Sequence, residues 1–232
     1  MVDAVPVLTI DGPSGTGKGT IAARLANVFG WHILDSGAFY RAFGYLANRR
    51  GISPENDHAL RAMGSTALIE FQKIGDEVRI FVEGSDVSET VRGEEGGKVA
   101  SVYAAIPAVR SLLLERQRAV RRPPGLIADG RDMGTVVFPD AFLKIFLQAS
   151  PKVRAQRRYK QLKEKGFDVN LSRLEKEIAE RDHKDTHRAV SPLAPAEDAV
   201  TIDTSNQSRE EVTASVLALA RSRLERLDQT RR

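Results

Sequence analysis

The sequence predicts an α/β fold: a five-stranded parallel sheet with helices on both faces, interrupted by a small antiparallel insertion and extended by a charged helical hairpin. Three observations carry this expectation. Five short apolar runs alternate with segments of helical period over most of the 232 residues, the pattern of strand–helix–strand crossovers. The first apolar run breaks into a glycine-rich turn with one lysine and then resumes with helical spacing. Between residues 67 and 87 the apolar period shortens to that of strands, which places local antiparallel pairing inside a chain otherwise built of crossovers.

Taken in order, residues 7–10 are a β-branched strand, Gly12 to Thr20 the turn, and 21–29 a helix stopped by Gly30. Residues 31–34 read as a second strand, and Asp35-Ser36-Gly37 as the N-cap of a helix over 38–48. A turn over 51–54 precedes a helix over 55–68, begun near Ser53. Runs 68–73 and 77–82 flank Ile74-Gly75-Asp76, a hairpin signal, and Asp86-Val87 adds a brief third strand. Helices follow over 94–103 and 107–121, closed by Arg122-Pro-Pro-Gly125. Residues 126–129 form a buried strand ending in a carboxylate, Asp129, and 143–147 another. Ser150-Pro151 opens a helix with proline at its first position. A further helix spans 171–184, Pro192 and Pro195 end the hairpin, and 199–203 is the last core strand. Ser208 and Glu211 form a capping box for the C-terminal helix.

Composition narrows the function. With 41% hydrophobic and 28% charged residues the chain is expected to be globular, and with no cysteine it has neither disulfides, Cys-based zinc sites nor thiol catalysis. No run approaches the ~20 apolar residues of a membrane span, and the first residues lack a basic-then-apolar signal pattern, so a cytoplasmic protein without a membrane partner is expected. A net charge of +4 and a pI of about 9.4 suit a polyanion or a small phosphate ligand alike. Aromatic residues are only 6% and do not interleave with the basic ones, which speaks against nucleic acid, and no Asn-Lys-x-Asp run marks a guanine-nucleotide switch.

The chemistry gathers at strand ends. Backbone N–H groups of a glycine-rich loop converge on phosphate oxygens, and the following helix adds the pull of its positive end. Gly12-x-x-x-x-Gly17-Lys18 fits the phosphate-loop spacing, although the next residue is Gly19 and the hydroxyl comes at Thr20. In an open α/β sheet, Gly12 to Lys18, Asp35-Ser36 and Asp129 to Asp132 would face one crevice. Asp129 is either a strand-end cap or a holder of Mg²⁺, and Arg131 and Asp132 either a surface ion pair or part of the site. Arg154, Arg157, Arg158, Arg181 and Arg188 lie on or beside the helical hairpin; a solvated face with an Arg181–Asp185 pair competes with a lid that neutralises a transferring phosphoryl group. His32, His58, His183 and His187 read as structural or surface residues. From the residues alone, the reading reaches a small-molecule phosphotransferase.

Gly12-Pro-Ser-Gly-Thr-Gly-Lys-Gly-Thr20, Leu34-Asp-Ser-Gly-Ala-Phe-Tyr-Arg41, Ile127-Ala-Asp-Gly-Arg-Asp-Met-Gly-Thr-Val-Val-Phe-Pro139, and Arg181 with Asp185 and Arg188 resemble the motifs of the bacterial cytidylate (CMP/dCMP) kinases, within the nucleoside monophosphate kinase family. The resemblance covers essentially the whole chain, and Gly19 is then a family trait. It implies a P-loop NTPase-type core over 1–59, 92–150 and 192–232, an antiparallel NMP-binding insertion over 60–91 and a helical lid over 151–191. It implies that Gly12, Pro13, Ser14, Gly15, Thr16, Gly17, Lys18, Gly19 and Thr20 cradle the ATP phosphates with Arg157, and that Lys18, Arg131, Arg157 and Arg188 serve catalysis. Ser101, Arg110 and Asp132 would read the cytosine edge; Arg41, Arg131 and Arg188 would hold the monophosphate; Arg181 and Asp185 would reach the sugar. Ser36, Tyr40, Asp129 and Gly130 complete the implied CMP set. Mg²⁺ would accompany ATP, held largely through water, with Thr20 and Asp129 as candidates. The implied protein is a monomer of pyrimidine metabolism; the alternatives are a kinase for UMP, AMP or a hydroxy acid, and a nucleotide-dependent switch.

Overall fold

The computed structural model describes residues 5–74, 77–164 and 166–230. In chain order it contains β1 (Val7–Asp11), α1 (Lys18–Phe29), β2 (His32–Asp35), α2 (Ser36–Arg49), α3 (Asp57–Thr66), β3 (Ile69–Ile74), β4 (Glu77–Val82) and β5 (Ser85–Asp86). There follow α4 (Ser88–Arg92), α5 (Glu94–Tyr103), α6 (Pro107–Arg118), β6 (Leu126–Gly130), a π-helical turn (Met133–Val137) and β7 (Leu143–Gln148). The chain ends with α7 (Pro151–Glu164), α8 (Leu171–His187), β8 (Val200–Asp203) and α9 (Arg209–Thr230). Two compact units result: one holds the chain up to Leu34 and from Val120 onward, the other is Asp35–Ala119.

The first unit is organised by a five-stranded parallel sheet in the order β2-β6-β1-β7-β8. β1 sits at its centre, with Val7 beside Leu126 on one side and Leu8 beside Leu143 on the other. All five β1 residues are buried, as a parallel strand with two neighbours requires. Leu8 and Ile10 point to one face, where they pack with Ile127, Ile145, Ile21 and Leu25 of α1, and Val212 and Val216 of α9. Each such side chain contributes ~1.5–3 kcal/mol relative to exposure. The alternate β1 positions, Thr9 and Asp11, meet the π-helical turn instead. α7 and α8 close their own small core, Ala155 and Leu162 against Leu174 and Ile178.

The second unit holds the antiparallel sheet β3-β4-β5, with Ile69 beside Val82 and Phe81 beside Asp86. The expected insertion over 60–91 falls inside this unit, and Gly75 and Asp76 of the hairpin signal lie outside the described residues.

Several boundaries differ for local reasons. α3 starts later than residue 55 because Asn56, not Ser53, caps it, accepting from the Ala59 N–H at 3.0 Å. α6 stops at Arg118, short of 121, where Arg121 turns to the Val5 carbonyl at 2.8 Å and to Asp140 at 2.6 Å. α8 runs to His187, past the expected end at 184, so Asp185 lies inside the helix. α4 and the π-helical turn, five residues each, were not expected, being too short to show a period. The Ser208–Glu211 capping box forms as expected, the Ser208 N–H donating to Glu211 at 2.7 Å and the Glu211 N–H to Ser208 at 3.2 Å.

Candidate active site

β1 delivers its chain end into a loop that turns on Gly12, Gly15 and Gly17, and α1 begins at Lys18. No side chain caps α1 and no acid lies in its first turn, so its leading N–H groups are available to an anion. The loop is braced internally: the Thr16 hydroxyl donates to the Pro13 carbonyl at 3.1 Å and the Lys18 ammonium to the same oxygen at 2.8 Å. Lys18 is buried, and burial, reinforced by the charge of Arg131, brings its ammonium down from its ordinary range to about 7, with Asp129 and Asp11 opposing. Burial likewise pushes the Asp11 carboxyl up to about 7, against the Gly134 and Met133 N–H groups that hold its charged form. An anionic ligand would reverse the cost at Lys18.

The segment after β6 supplies the second half of the charge arrangement. The Asp129 carboxylate lies beside the start of α1, where a Cβ on Gly19 would come within 3.3 Å of its Oδ2. A glycine at position 19 therefore gives Asp129 the space that a hydroxyl-bearing side chain would crowd. Arg131 donates from Nε to Asp185 at 2.9 Å and from Nη1 to the Gly130 carbonyl at 3.3 Å. Asp132, also buried, lies 3.9 Å from the Arg188 guanidinium. The two ion pairs thus join the post-β6 segment to the end of α8.

The arginines of the helical hairpin divide by role. Arg154 is only 2% exposed; its Nε donates to the Ala149 carbonyl at 2.9 Å, its Nη1 to the Ser14 carbonyl at 3.0 Å, and it forms a fork with Asp182 of α8. It braces the phosphate loop, with four of its five N–H donors engaged. Arg157 donates to the Thr204 hydroxyl at 3.1 Å and to the Thr204 carbonyl, while that hydroxyl reaches the Thr16 carbonyl at 3.5 Å. Arg158 and Arg181 are half-buried. His183 and His187 stack on α8 at 4.0 Å, and among the described residues no three His, Cys, Asp or Glu side chains form a metal cluster.

In the second unit, Asp35 caps α2 by accepting from the Ala38 N–H at 3.0 Å and holds Arg41 at 2.6 Å. Ser36 is the first, buried residue of α2, and Tyr40 stands one turn further. Arg110 of α6 lies 5.8 Å over the Tyr40 ring and donates to the Ala104 carbonyl at 3.1 Å; Ser101 is on α5. This unit thus brings Tyr40 and Arg110 together, with the guanidinium oriented by a π face and a carbonyl. Sequence reasoning missed Asp11, the Arg154–Asp182 fork and Thr204, whose partners are far along the chain; only the polarity of Asp11 at the end of an apolar strand hinted at one of them.

A phosphate loop with a buried lysine, a strand-end aspartate beside it and a converging set of arginines defines a phosphotransferase of the phosphate-loop class. A family model described as cytidylate kinase matches residues 8–222. The chain belongs to the cytidylate kinase family, ATP-dependent nucleoside monophosphate kinases. It is 54% identical over 224 residues to the cytidylate kinase of Aeromonas salmonicida, covering 97% of each chain. It is 54% identical to that of Stutzerimonas stutzeri over 94% of this chain and 96% of the relative. Among solved structures, a gluconokinase from Sinorhizobium meliloti is 18% identical over 97% of each chain with a TM-score of 0.46.

Proposed function

We propose that the chain transfers the γ-phosphoryl group of ATP reversibly to CMP or dCMP, giving CDP or dCDP, as a cytoplasmic monomer of pyrimidine nucleotide metabolism. What supports the reading is the buried Lys18 at the end of the phosphate loop with the Asp129 carboxylate beside the start of α1, which sets the donor loop against the post-β6 segment. Gly12 to Thr20 would cradle the ATP phosphates, with Arg157 on the same side. Lys18, Arg131 and Arg188 would take up charge on the transferring group as the CMP phosphate oxygen attacks in line. Arg41 would join Arg131 and Arg188 on the monophosphate, and Arg181 and Asp185 would reach the sugar. Ser36, Tyr40 and Gly130 would complete the acceptor set. Asp132 would accept from the cytosine amine, with Arg110 and Ser101 on the ring's acceptors.

Mg²⁺ fits the oxygen donors available, Asp129 and the Thr20 hydroxyl, acting largely through water. When bound it supplies neutralisation of the ATP phosphates. The expected division into core, insertion over 60–91 and lid over 151–191 belongs to the same proposal. No single helix among the described residues is long and apolar enough to cross a membrane.

Incubation with Mg-ATP and CMP followed by ³¹P NMR is expected to give ADP and CDP in equal amounts; ATP hydrolysis without CDP would overturn the reading. Asp132→Ala leaves the cytosine amine unpaired, so the kcat/KM preference for CMP over UMP is expected to fall by ~10²-fold or more. An unchanged preference would remove Asp132 from base recognition. ATP binding should also take up a proton. Lys18 is lowered to about 7 when no anion is present, so it is largely neutral at higher pH, and the phosphates favour its charged form. Calorimetry in buffers of different ionisation enthalpy is expected to show net uptake at about pH 8 that declines toward about pH 6, where Lys18 already carries its proton.

A further inference from the structure

Asp11 ends β1 immediately before Gly12, yet both of its carboxylate oxygens are used on the chain that follows β6. Oδ1 accepts the Met133 N–H and Oδ2 the Gly134 N–H, each at 2.8 Å. These are the two amides directly after Asp132, which stands at the start of the π-helical turn with φ −144° and ψ 25°. Asp11 is 5% exposed and Asp132 2%, so neither group can exchange these bonds readily for water. Two bonds from one carboxylate fix orientation as well as distance, which a single bond does not. Space adds to the constraint: a Cβ on Gly134 would come within 2.9 Å of the Thr9 hydroxyl, so the turn lies flat against β1.

We propose that Asp11 is a positioning residue for acceptor recognition: by holding the Met133 and Gly134 N–H groups it sets where the Asp132 carboxylate stands, and so ties the phosphate loop to the choice of nucleobase. The inference rests on the reading of Asp132 as the reader of the cytosine amine. A carboxylate that only capped the sheet end would, when removed, lower stability and impair every acceptor alike. A positioning residue loses discrimination.

Asp11→Asn keeps the shape but turns an amide N–H₂ toward one of the two backbone donors, so one bond is lost. The readout is the ratio of kcat/KM for CMP to that for UMP at saturating ATP, because damage to the phosphate loop or to Lys18 affects both acceptors equally and cancels. The ratio is expected to fall by ~10-fold, less than for Asp132→Ala. A folded Asp11→Asn protein whose ratio stays within about 2-fold of the parent overturns the inference while leaving the kinase reading intact. A parent protein that does not phosphorylate CMP removes both. Should Asp11→Asn fail to fold, hydrogen exchange on the unaltered protein decides. Met133 and Gly134 amides protected like those of β1 and β6 support the latch, and exchange at the rate of an open turn overturns it.

Discussion

Lys18→Ala is expected to lower kcat by ~10³-fold or more while leaving the fold intact. Lys18 is 6% exposed, and its ammonium is held against the Pro13 carbonyl at 2.8 Å, with Arg131, Asp129 and Asp11 acting on its charge. In phosphoryl transfer there is little bond-making for a protein to assist, so a fixed cation at the migrating group is worth most of what it contributes in the transition state; ~10³ corresponds to about 4 kcal/mol. Burial of that cation in the absence of an anion is a cost to the folded chain, and removing it should not lower the melting temperature. A coupled assay reporting ADP, with a thermal melt alongside, checks both halves. Turnover within ~10-fold of the parent would take Lys18 out of the mechanism.

Gly12→Ala should be the most damaging change to the scaffold itself. The residue has φ +144°, and a Cβ there would lie 2.0 Å from the Leu147 carbonyl oxygen of β7. The strain of a left-handed backbone at a non-glycine residue adds ~1–2 kcal/mol, and the overlap with β7 another ~1–3 kcal/mol. A loss of roughly 3 kcal/mol is a large share of the ~5–15 kcal/mol that holds a domain folded. Because β1 and β7 are adjacent strands, relief requires either parting the sheet or displacing the phosphate loop. Urea unfolding is expected to show a lower midpoint, and any folded fraction should bind ATP poorly. Parental stability together with parental ATP affinity would contradict this packing.

The parts of the molecule legible in the sequence are those decided locally. Val7 to Ile10 is a mostly apolar run, three of its four residues β-branched and all buried, as a central parallel strand must be, and the glycine spacing after it follows from the backbone a phosphate loop needs. Ser208 with Glu211 announced α9 because a cap is read within four residues. What stayed hidden depends on partners distant in the chain. The role of Asp11 was not legible because its two donors are at Met133 and Gly134. Arg154 looked like one more lid arginine, and only the fold shows its guanidinium spent on Ser14 and Asp182. Met133–Val137 is too short to show a period, and its π-helical turn rests on distant partners: Asp11 takes the Met133 and Gly134 amides, and Gly134 lets the turn lie against Thr9. The ion pairs of Asp185 and Asp132 likewise required α8 to be brought to the end of β6.

The acceptor proposed for this chain is a cytidine monophosphate. Steady-state kcat/KM with Mg-ATP across CMP, dCMP, UMP, AMP and shikimate tests it most directly. CMP or dCMP is expected to lead UMP by ~10²-fold or more, with AMP and shikimate far below. Preference for UMP, AMP or shikimate, or no transfer to any of the five, would contradict it.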